Sequence, residues 1–145
     1  MQRFKNILYF ADGEERSSPA LERAVALADS NNARLTVVDV LDEIGAYPDL
    51  EARLGRSVAQ LLQESRQQAL EALVVPWQSE TRPIYTTMLE GKAFVAVIQS
   101  VLRNGFDLLM KAARPPRGIA ERFLGSTDLH LLRKCPCPVL IDQPT

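Results

Sequence analysis

The sequence predicts an α/β fold, an open and doubly wound sheet of five parallel strands with helices on both faces. Two observations support this prediction. Five short apolar segments alternate along the chain with helical patterns, and a helix between two strands must return the chain across the sheet, which makes neighbouring strands parallel. The chain has 145 residues, a common size for one domain, so we expect a single domain over residues 1–145.

The five predicted strands are short runs of apolar and β-branched residues bounded by turn or helix signals. They are residues 7–10, 35–41, 81–89, 106–110 and 139–141. The first strand is an uninterrupted apolar run that ends at Asp12-Gly13. Such a run is typical of a strand that is buried on both faces of a parallel sheet.

The predicted helices have apolar residues at helical spacing and a polar face on the opposite side. They are residues 19–30, 50–72, 94–104 and 126–134. Ser18 is a suitable N-cap for the first of them, with Pro19 at its first position. Gly105 stands where the third helix is expected to end.

This fold predicts where a ligand would bind. In open parallel sheets, ligands lie beyond the carboxyl ends of the strands, at the point where the strand order reverses. Asp12 follows the first predicted strand, and Lys111 follows the fourth. We therefore expect both side chains to border the ligand crevice.

Composition excludes several classes of function. The formal net charge is −1, which argues against nucleic-acid and anionic membrane partners because both require a basic surface. No run approaches the roughly 18 apolar residues of a membrane-spanning helix. Near the N-terminus only residues 7–10 form an apolar stretch, which is too short for a signal peptide. We therefore expect a cytoplasmic protein.

Four stretches carry a resemblance to a known family: residues 7–13, 35–40, 90–98 and 107–141. The last stretch is the most specific, with Phe123-Leu124-Gly125-Ser126 followed by Leu131-Leu132-Arg133-Lys134-Cys135-Pro136-Cys137-Pro138-Val139-Leu140. On these residues the chain resembles the universal stress protein family. Residues 128–136 are also similar to the first domain of its tandem, two-domain members.

ATP-binding members of that family share a motif of Gly, two residues, Gly, nine residues, then Gly-Ser or Gly-Thr. In this register Gly125 and Ser126 keep the motif, whereas Ala112 and Pro115 replace its first two glycines. Proline has no N–H and a fixed φ, and alanine adds a Cβ where the backbone must approach a phosphate. The resemblance therefore implies a degenerate nucleotide motif, and we expect no cofactor.

The other nucleotide positions are retained, so an ATP-binding or adenine-nucleotide-binding protein with at most slow hydrolysis is the alternative. The resemblance implies that Asp12 and Val40 would contact the adenosine part of the nucleotide. It implies that Gly125 and Ser126 would contact the phosphates. Three of these residues also have a purely structural explanation: a turn at Asp12, a buried strand position at Val40, and a helix cap at Ser126.

The segment that replaces the glycine loop is basic. Its cationic residues are Lys111, Arg114, Arg117 and Arg122, opposed by Glu121. These side chains could hold an anion, or the segment could be a solvated surface loop. Lys111 at a strand end points toward the crevice, which keeps a small anion or a lipid-like ligand as a third possibility.

The remaining reactive residues do not form a recognisable catalytic or metal site. Cys135 and Cys137, with His130 nearby, are too few for a tetrahedral zinc site, and their spacing is not that of a Cys-x-x-Cys redox motif. No Gly-x-Ser-x-Gly nucleophile motif is present. We therefore expect no metal site and no enzymatic activity.

The preferred interpretation is a non-catalytic stress-response domain that acts through protein association. The resemblance implies a homodimer formed through the last strand, at Val139, Leu140 and Ile141, or pairing with a second stress domain. The sequence leaves open whether the chain is a complete protein or the first half of a tandem protein.

Overall fold

The computed structural model describes residues 3–42, 46–114 and 124–143. Five parallel strands form one sheet in the order β3-β2-β1-β4-β5. The strands are β1 Asn6–Phe10, β2 Arg34–Leu41, β3 Ile84–Glu90, β4 Leu108–Ala112 and β5 Val139–Asp142. The predicted five-stranded parallel sheet is confirmed.

Helices cover both faces of this sheet. They are α1 Pro19–Asn31, α2 Pro48–Leu54, α3 Val58–Val74, α4 Ala93–Asn104 and α5 Ser126–Lys134, with a short 3₁₀ turn at Val75–Trp77. Helices α1 and α3 pack with one apolar cluster, and α4 and α5 pack with the other. The sheet therefore lies between two helical layers, as the doubly wound prediction requires.

Strand β1 lies at the centre of the sheet and contributes to both cores. Its alternate residues Ile7 and Tyr9 belong to the cluster beneath α1 and α3. The intervening Leu8 and Phe10 belong to the cluster beneath α4 and α5. All four are essentially inaccessible to solvent, which explains why this strand appears in the sequence as a continuous apolar run.

One predicted helix is wrong in extent. The pattern over residues 50–72 forms two helices, α2 and α3, which are separated at Gly55. Gly55 adopts a left-handed conformation with φ of 69°, and its N–H bonds to the carbonyl of Glu51, 2.9 Å away. Ser57 then caps α3 by accepting a hydrogen bond from the Gln60 N–H at 3.0 Å. An αL glycine followed by a serine cap ends one helix and starts another.

Strand β3 begins three residues later than predicted, at Ile84. The side chain of Gln78 bonds to both backbone polar groups of Ile84, accepting from its N–H at 2.9 Å and donating to its carbonyl at 2.6 Å. This bidentate contact holds the first residue of β3, which is also in register with Leu35 of β2.

Two other helix boundaries, the start of α1 and the end of α4, follow the expected caps. Ser18 accepts a hydrogen bond from the Leu21 N–H at 3.2 Å, and Pro19 opens α1. Gly105 ends α4 in the left-handed conformation, with its N–H 3.0 Å from the Val101 carbonyl. These local signals are sufficient to fix the ends of both helices.

Candidate functional site

The sheet reverses its strand order between β1 and β4. From β1 the chain builds outward through β2 and β3 on one side and through β4 and β5 on the other. The carboxyl ends of β1 and β4 therefore border a crevice, which is the position where open parallel sheets bind ligands. Asp12 and Lys111 both lie at this crevice, as predicted from the sequence.

The side chain of Lys111 is completely buried. Its ammonium group forms an ion pair and hydrogen bond with Asp128 Oδ1, lies 3.1 Å from Asp12 Oδ2 and donates to the Ala112 carbonyl at 2.8 Å. Two of the three N–H donors of this ammonium group are therefore bonded to Asp128 and Ala112, and Asp12 supplies a second counter-charge. A buried charge is tolerated only when it is paired and hydrogen-bonded in this way.

Asp128 is the second fully buried charge at the crevice. It lies in the first turn of α5, and its Oδ2 accepts a hydrogen bond from the Arg114 N–H at 2.8 Å. The sequence analysis did not identify this residue. A signal was available, because Asp128 precedes the buried Leu131 by three positions and so shares the inward face of α5.

Arg114 closes the network from the solvent side. Its guanidinium group donates to the Asp12 carbonyl, and its Nε lies 3.6 Å from Asp12 Oδ2. The same group covers Gly13, where an added Cβ would lie only 2.8 Å from Arg114 Nη2. Asp12, Lys111, Arg114 and Asp128 form the switch-point network, in which two cations face two carboxylates and their formal charges cancel.

Gly125 has a structural role that needs no ligand. Its N–H donates to the Arg114 carbonyl at 2.9 Å, and a Cβ added at Gly125 would overlap that carbonyl oxygen. The φ of Gly125 is −71°, which any residue can adopt. Glycine is therefore required for close backbone approach rather than for an unusual backbone conformation.

Ser126 does not cap α5, which contradicts the structural explanation suggested from the sequence. The N-cap residue is Gly125, and no side-chain hydrogen bond caps this helix. Ser126 occupies the first position inside the helix, one residue beyond the position from which a hydroxyl normally bonds to the N–H groups of the first turn.

The remaining motif positions are distributed around the network. Ala112 ends β4 and supplies the carbonyl that accepts from Lys111. Val40 lies near the end of β2 and packs partly buried against the α4–α5 cluster. Pro115 lies outside the described residues, as do Arg117 and Arg122.

Asp39 is a buried residue beside the crevice that the sequence analysis did not single out. Its Oδ2 accepts from the Gly13 N–H at 3.0 Å and from Arg66 Nη2 at 3.1 Å, and its Oδ1 accepts from the Val40 N–H at 2.8 Å. The Gly13 N–H belongs to the loop between β1 and α1, which borders the crevice. Asp39 bonds to this N–H and ties α3 to the loop through Arg66.

Glu14 belongs to a second polar cluster beside the crevice. Its Oε1 accepts hydrogen bonds from the Tyr9 hydroxyl at 2.8 Å and from Ser18 Oγ at 2.9 Å. Burial raises the pKa of the Glu14 carboxyl, although both hydrogen bonds oppose the shift. Burial, together with the nearby Glu14 charge, raises the pKa of Tyr9. These groups cross-link the β1–α1 loop to α1.

Space for a ligand remains next to this network. A cavity of about 540 Å³ lies between the β1–α1 loop and the end of β4, with Glu14, Glu15, Arg16 and Arg114 among its lining residues. Its volume is in the range of small-molecule sites. Its lining contains two acidic and two basic side chains, so it has no clear preference for an anion.

Two further properties hold for residues 3–42, 46–114 and 124–143. Within them, none of the helices combines the length and apolar character needed to cross a membrane. Within the same ranges, His, Cys, Asp and Glu side chains form no group of three or more that could hold a metal ion. His130 instead stacks on Phe94, with ring centroids 4.3 Å apart.

The chain is similar to known proteins over nearly its whole length. A family model described as the universal stress protein family matches residues 3–142. The universal stress protein encoded in the QAH/OAS sulfhydrylase 3′ region of Thermus aquaticus is 28% identical, with 95% of this chain and 98% of the relative covered. Universal stress protein E of Escherichia coli is 31% identical over 99% of this chain, which spans only 47% of that relative.

A solved structure supports the same fold. A universal stress protein crystallised in complex with cAMP superposes with a TM-score of 0.62 at 22% identity, covering 99% of this chain and all of that one. At this level of identity the likeness extends to the fold, and the cAMP belongs to that protein.

Proposed function

Since the chain belongs to the universal stress protein family, we propose that it is a non-catalytic stress-response domain that acts by associating with another protein domain. The observation that carries this proposal is the switch-point network. The crevice in which family resemblance would place a nucleotide holds a buried Lys111 that is already neutralised by Asp12 and Asp128. The proposal includes one domain over residues 1–145 and the cytoplasmic location expected from the sequence.

Hydrogen-bond donors around the crevice also argue against a polyphosphate ligand. A phosphate cradle needs several unbonded backbone N–H groups that point toward it. Here the N–H of Gly13 is bonded to Asp39, that of Ala113 to the Asp142 carbonyl, that of Arg114 to Asp128, and that of Gly125 to the Arg114 carbonyl. Pro115 and Pro116 have no N–H to offer.

Adenine-nucleotide binding is the alternative function, and two observations favour it. A relative of the same fold was solved with cAMP, and a cavity of about 540 Å³ remains beside Arg114. Asp12, Val40, Gly125 and Ser126 would then contact the nucleotide. Binding would require the Arg114 guanidinium group to move away from Asp12 and Gly13. That movement would expose the Asp12 carboxylate to the phosphates of the nucleotide.

A nucleotide titration separates the two functions. We expect ATP with Mg²⁺, and separately cAMP, to leave the free energy of unfolding unchanged up to millimolar concentration, because the donors and charges of the crevice are already paired. A ligand at a hundredfold its Kd would stabilise the fold by about 2.7 kcal/mol. Urea unfolding at each ligand concentration measures this quantity. Tripolyphosphate serves as the control for non-specific anion effects; a saturable stabilisation by ATP or cAMP that tripolyphosphate does not reproduce would establish the alternative.

Association through β5 is supported by the position of that strand at the edge of the sheet. An edge strand presents unpaired N–H and C=O groups to a partner. Leu140 of this strand is 42% exposed, and Val139 and Ile141 are partly exposed beside it. The partner we propose is a second stress-family domain, either another copy of the chain or a domain linked to it, since the chain spans about half of Universal stress protein E.

A substitution on β5 tests this association. Leu140→Arg places a charge on the exposed face of the edge strand, and we expect it to weaken self-association at least tenfold with little effect on the free energy of unfolding of the monomer. Sedimentation equilibrium measures the dissociation constant. Leu102→Arg is the matched control, because Leu102 is an exposed leucine on α4, away from β5. Equal weakening by both variants, or by neither, would show that β5 is not the interface.

A further inference from the structure

The two cysteines of the chain face each other at the end of α5. Cys135 follows the last residue of the helix, and Cys137 lies two residues before β5. Their Sγ atoms are 3.6 Å apart, and both carry free thiols. Both residues are partly buried against the α4–α5 cluster and partly exposed to solvent.

Backbone hydrogen bonds hold the chain in place both at Cys135 and just after Cys137. The Cys135 N–H bonds to the Leu131 carbonyl at 3.0 Å, which holds the first cysteine at the helix end. The Leu109 N–H bonds to the Pro138 carbonyl at 3.0 Å, which anchors the segment after the second cysteine to β4. Pro136 lies between the cysteines and fixes one more backbone angle. The two thiols are therefore held next to each other by α5 on one side and by the attachment to β4 on the other.

We propose that Cys135 and Cys137 form a reversible thiol–disulfide pair that exchanges with low-molecular-weight disulfides such as oxidised glutathione. The thiolate of Cys135 attacks one sulfur of the glutathione disulfide, which breaks that S–S bond and releases one glutathione thiolate. Cys137 loses its proton and attacks the Cys135 sulfur, which forms the intramolecular bond and releases the second glutathione thiolate. Two protein thiols are oxidised, one disulfide is reduced to two thiols, and the two protons pass to the departing thiolates.

Geometry makes closure feasible. A disulfide has an S–S length of about 2.05 Å, so the two sulfur atoms must approach by about 1.5 Å from their present separation of 3.6 Å. A bond between cysteines only two residues apart closes a small and strained ring. Strained or exposed disulfides are the ones that are readily reduced, so this pair is suited to reversible exchange rather than to permanent cross-linking.

The environment of Cys137 sets the order of the two steps. Burial and the neighbouring Cys135 raise the pKa of the Cys137 thiol to about 12. The Cys137 thiol also donates a hydrogen bond to the Pro138 carbonyl at 3.5 Å, which favours its protonated form. Because the thiolate is the nucleophile in these reactions, Cys137 acts as the resolving thiol. We therefore expect ring closure to accelerate with pH across the neutral and alkaline range.

Intact-protein mass spectrometry at defined ratios of reduced to oxidised glutathione tests the proposal. The wild-type chain is expected to form a product that has lost two hydrogen atoms, carries no glutathione, and forms to the same extent at all protein concentrations. Cys137→Ser should instead accumulate one glutathione adduct on Cys135. Cys135→Ser should react at least tenfold more slowly than Cys137→Ser.

The urea-unfolded chain is the control for the contribution of the fold. Its Cys-Pro-Cys segment has the same covalent structure, so only the positioning of the thiols differs. We expect the equilibrium constant for forming the Cys135–Cys137 disulfide from oxidised glutathione to be at least tenfold larger in the folded chain. Three results would each overturn the proposal. They are an equal or smaller equilibrium constant in the folded chain, stable glutathione adducts on both cysteines, and formation of intermolecular disulfides only.

Discussion

Asp128→Ala is expected to destabilise the domain by about 3–5 kcal/mol, because it removes one partner of a buried ion pair. Lys111 would keep only Asp12 as a counter-charge, and Asp12 is itself about a quarter exposed to water. The Arg114 N–H would also lose its acceptor. Equilibrium urea unfolding at pH 7 measures the loss.

The double variant Lys111→Met with Asp128→Leu is the control for this prediction. Replacing a buried ion pair by apolar side chains of similar size is often neutral or stabilising, so the double variant should recover most of the stability lost by Asp128→Ala. A loss below 1 kcal/mol for the single variant would contradict the structure, since it would mean that Lys111 reaches water.

Gly125→Ala is expected to destabilise the domain by about 1–3 kcal/mol, the usual range for forcing an extra carbon into a packed site. The added Cβ would overlap the Arg114 carbonyl oxygen, so the backbone hydrogen bond between these residues must lengthen or break. Thermal and urea unfolding of the ligand-free protein measure the change.

Ser126→Ala is the matched control for the glycine substitution. Its hydroxyl does not cap α5, so its removal should change the free energy of unfolding by less than about 0.5 kcal/mol. If glycine at position 125 were needed only for contact with a bound phosphate, then Gly125→Ala would leave the ligand-free protein as stable as wild type. That result would favour the nucleotide alternative.

The order and type of the elements could be predicted because they depend on local pattern. Residues 7–10 are apolar without interruption, and this reflects their burial between two helical layers. The break at Gly55 was missed because the apolar pattern continues through it at helical spacing. A glycine inside a helical pattern is also compatible with an unbroken helix, and only the serine at position 57 indicates a second start.

The candidate site was predictable only in part. The position of Lys111 follows from topology, since a residue at the end of a central strand must border the crevice. The burial of Asp128, Asp39 and Glu14 depends on partners that are 17, 27 and 5 residues away. Helical spacing could place Asp128 on the inward face of α5, but no local pattern identifies the partners of these carboxylates. The charge balance of the crevice therefore became visible only in the fold.

Lys111 is a residue of the chain and not a bound ligand. Its contribution to folding therefore does not depend on the concentration of a metabolite. A protein completed by a bound metabolite gains stability by mass action as that metabolite accumulates. In this chain the cation that pairs with both carboxylates belongs to β4 and is present in every folded molecule. Under the proposed function, the resistance of the domain to unfolding and proteolysis is therefore expected to stay constant when cellular nucleotide pools rise or fall.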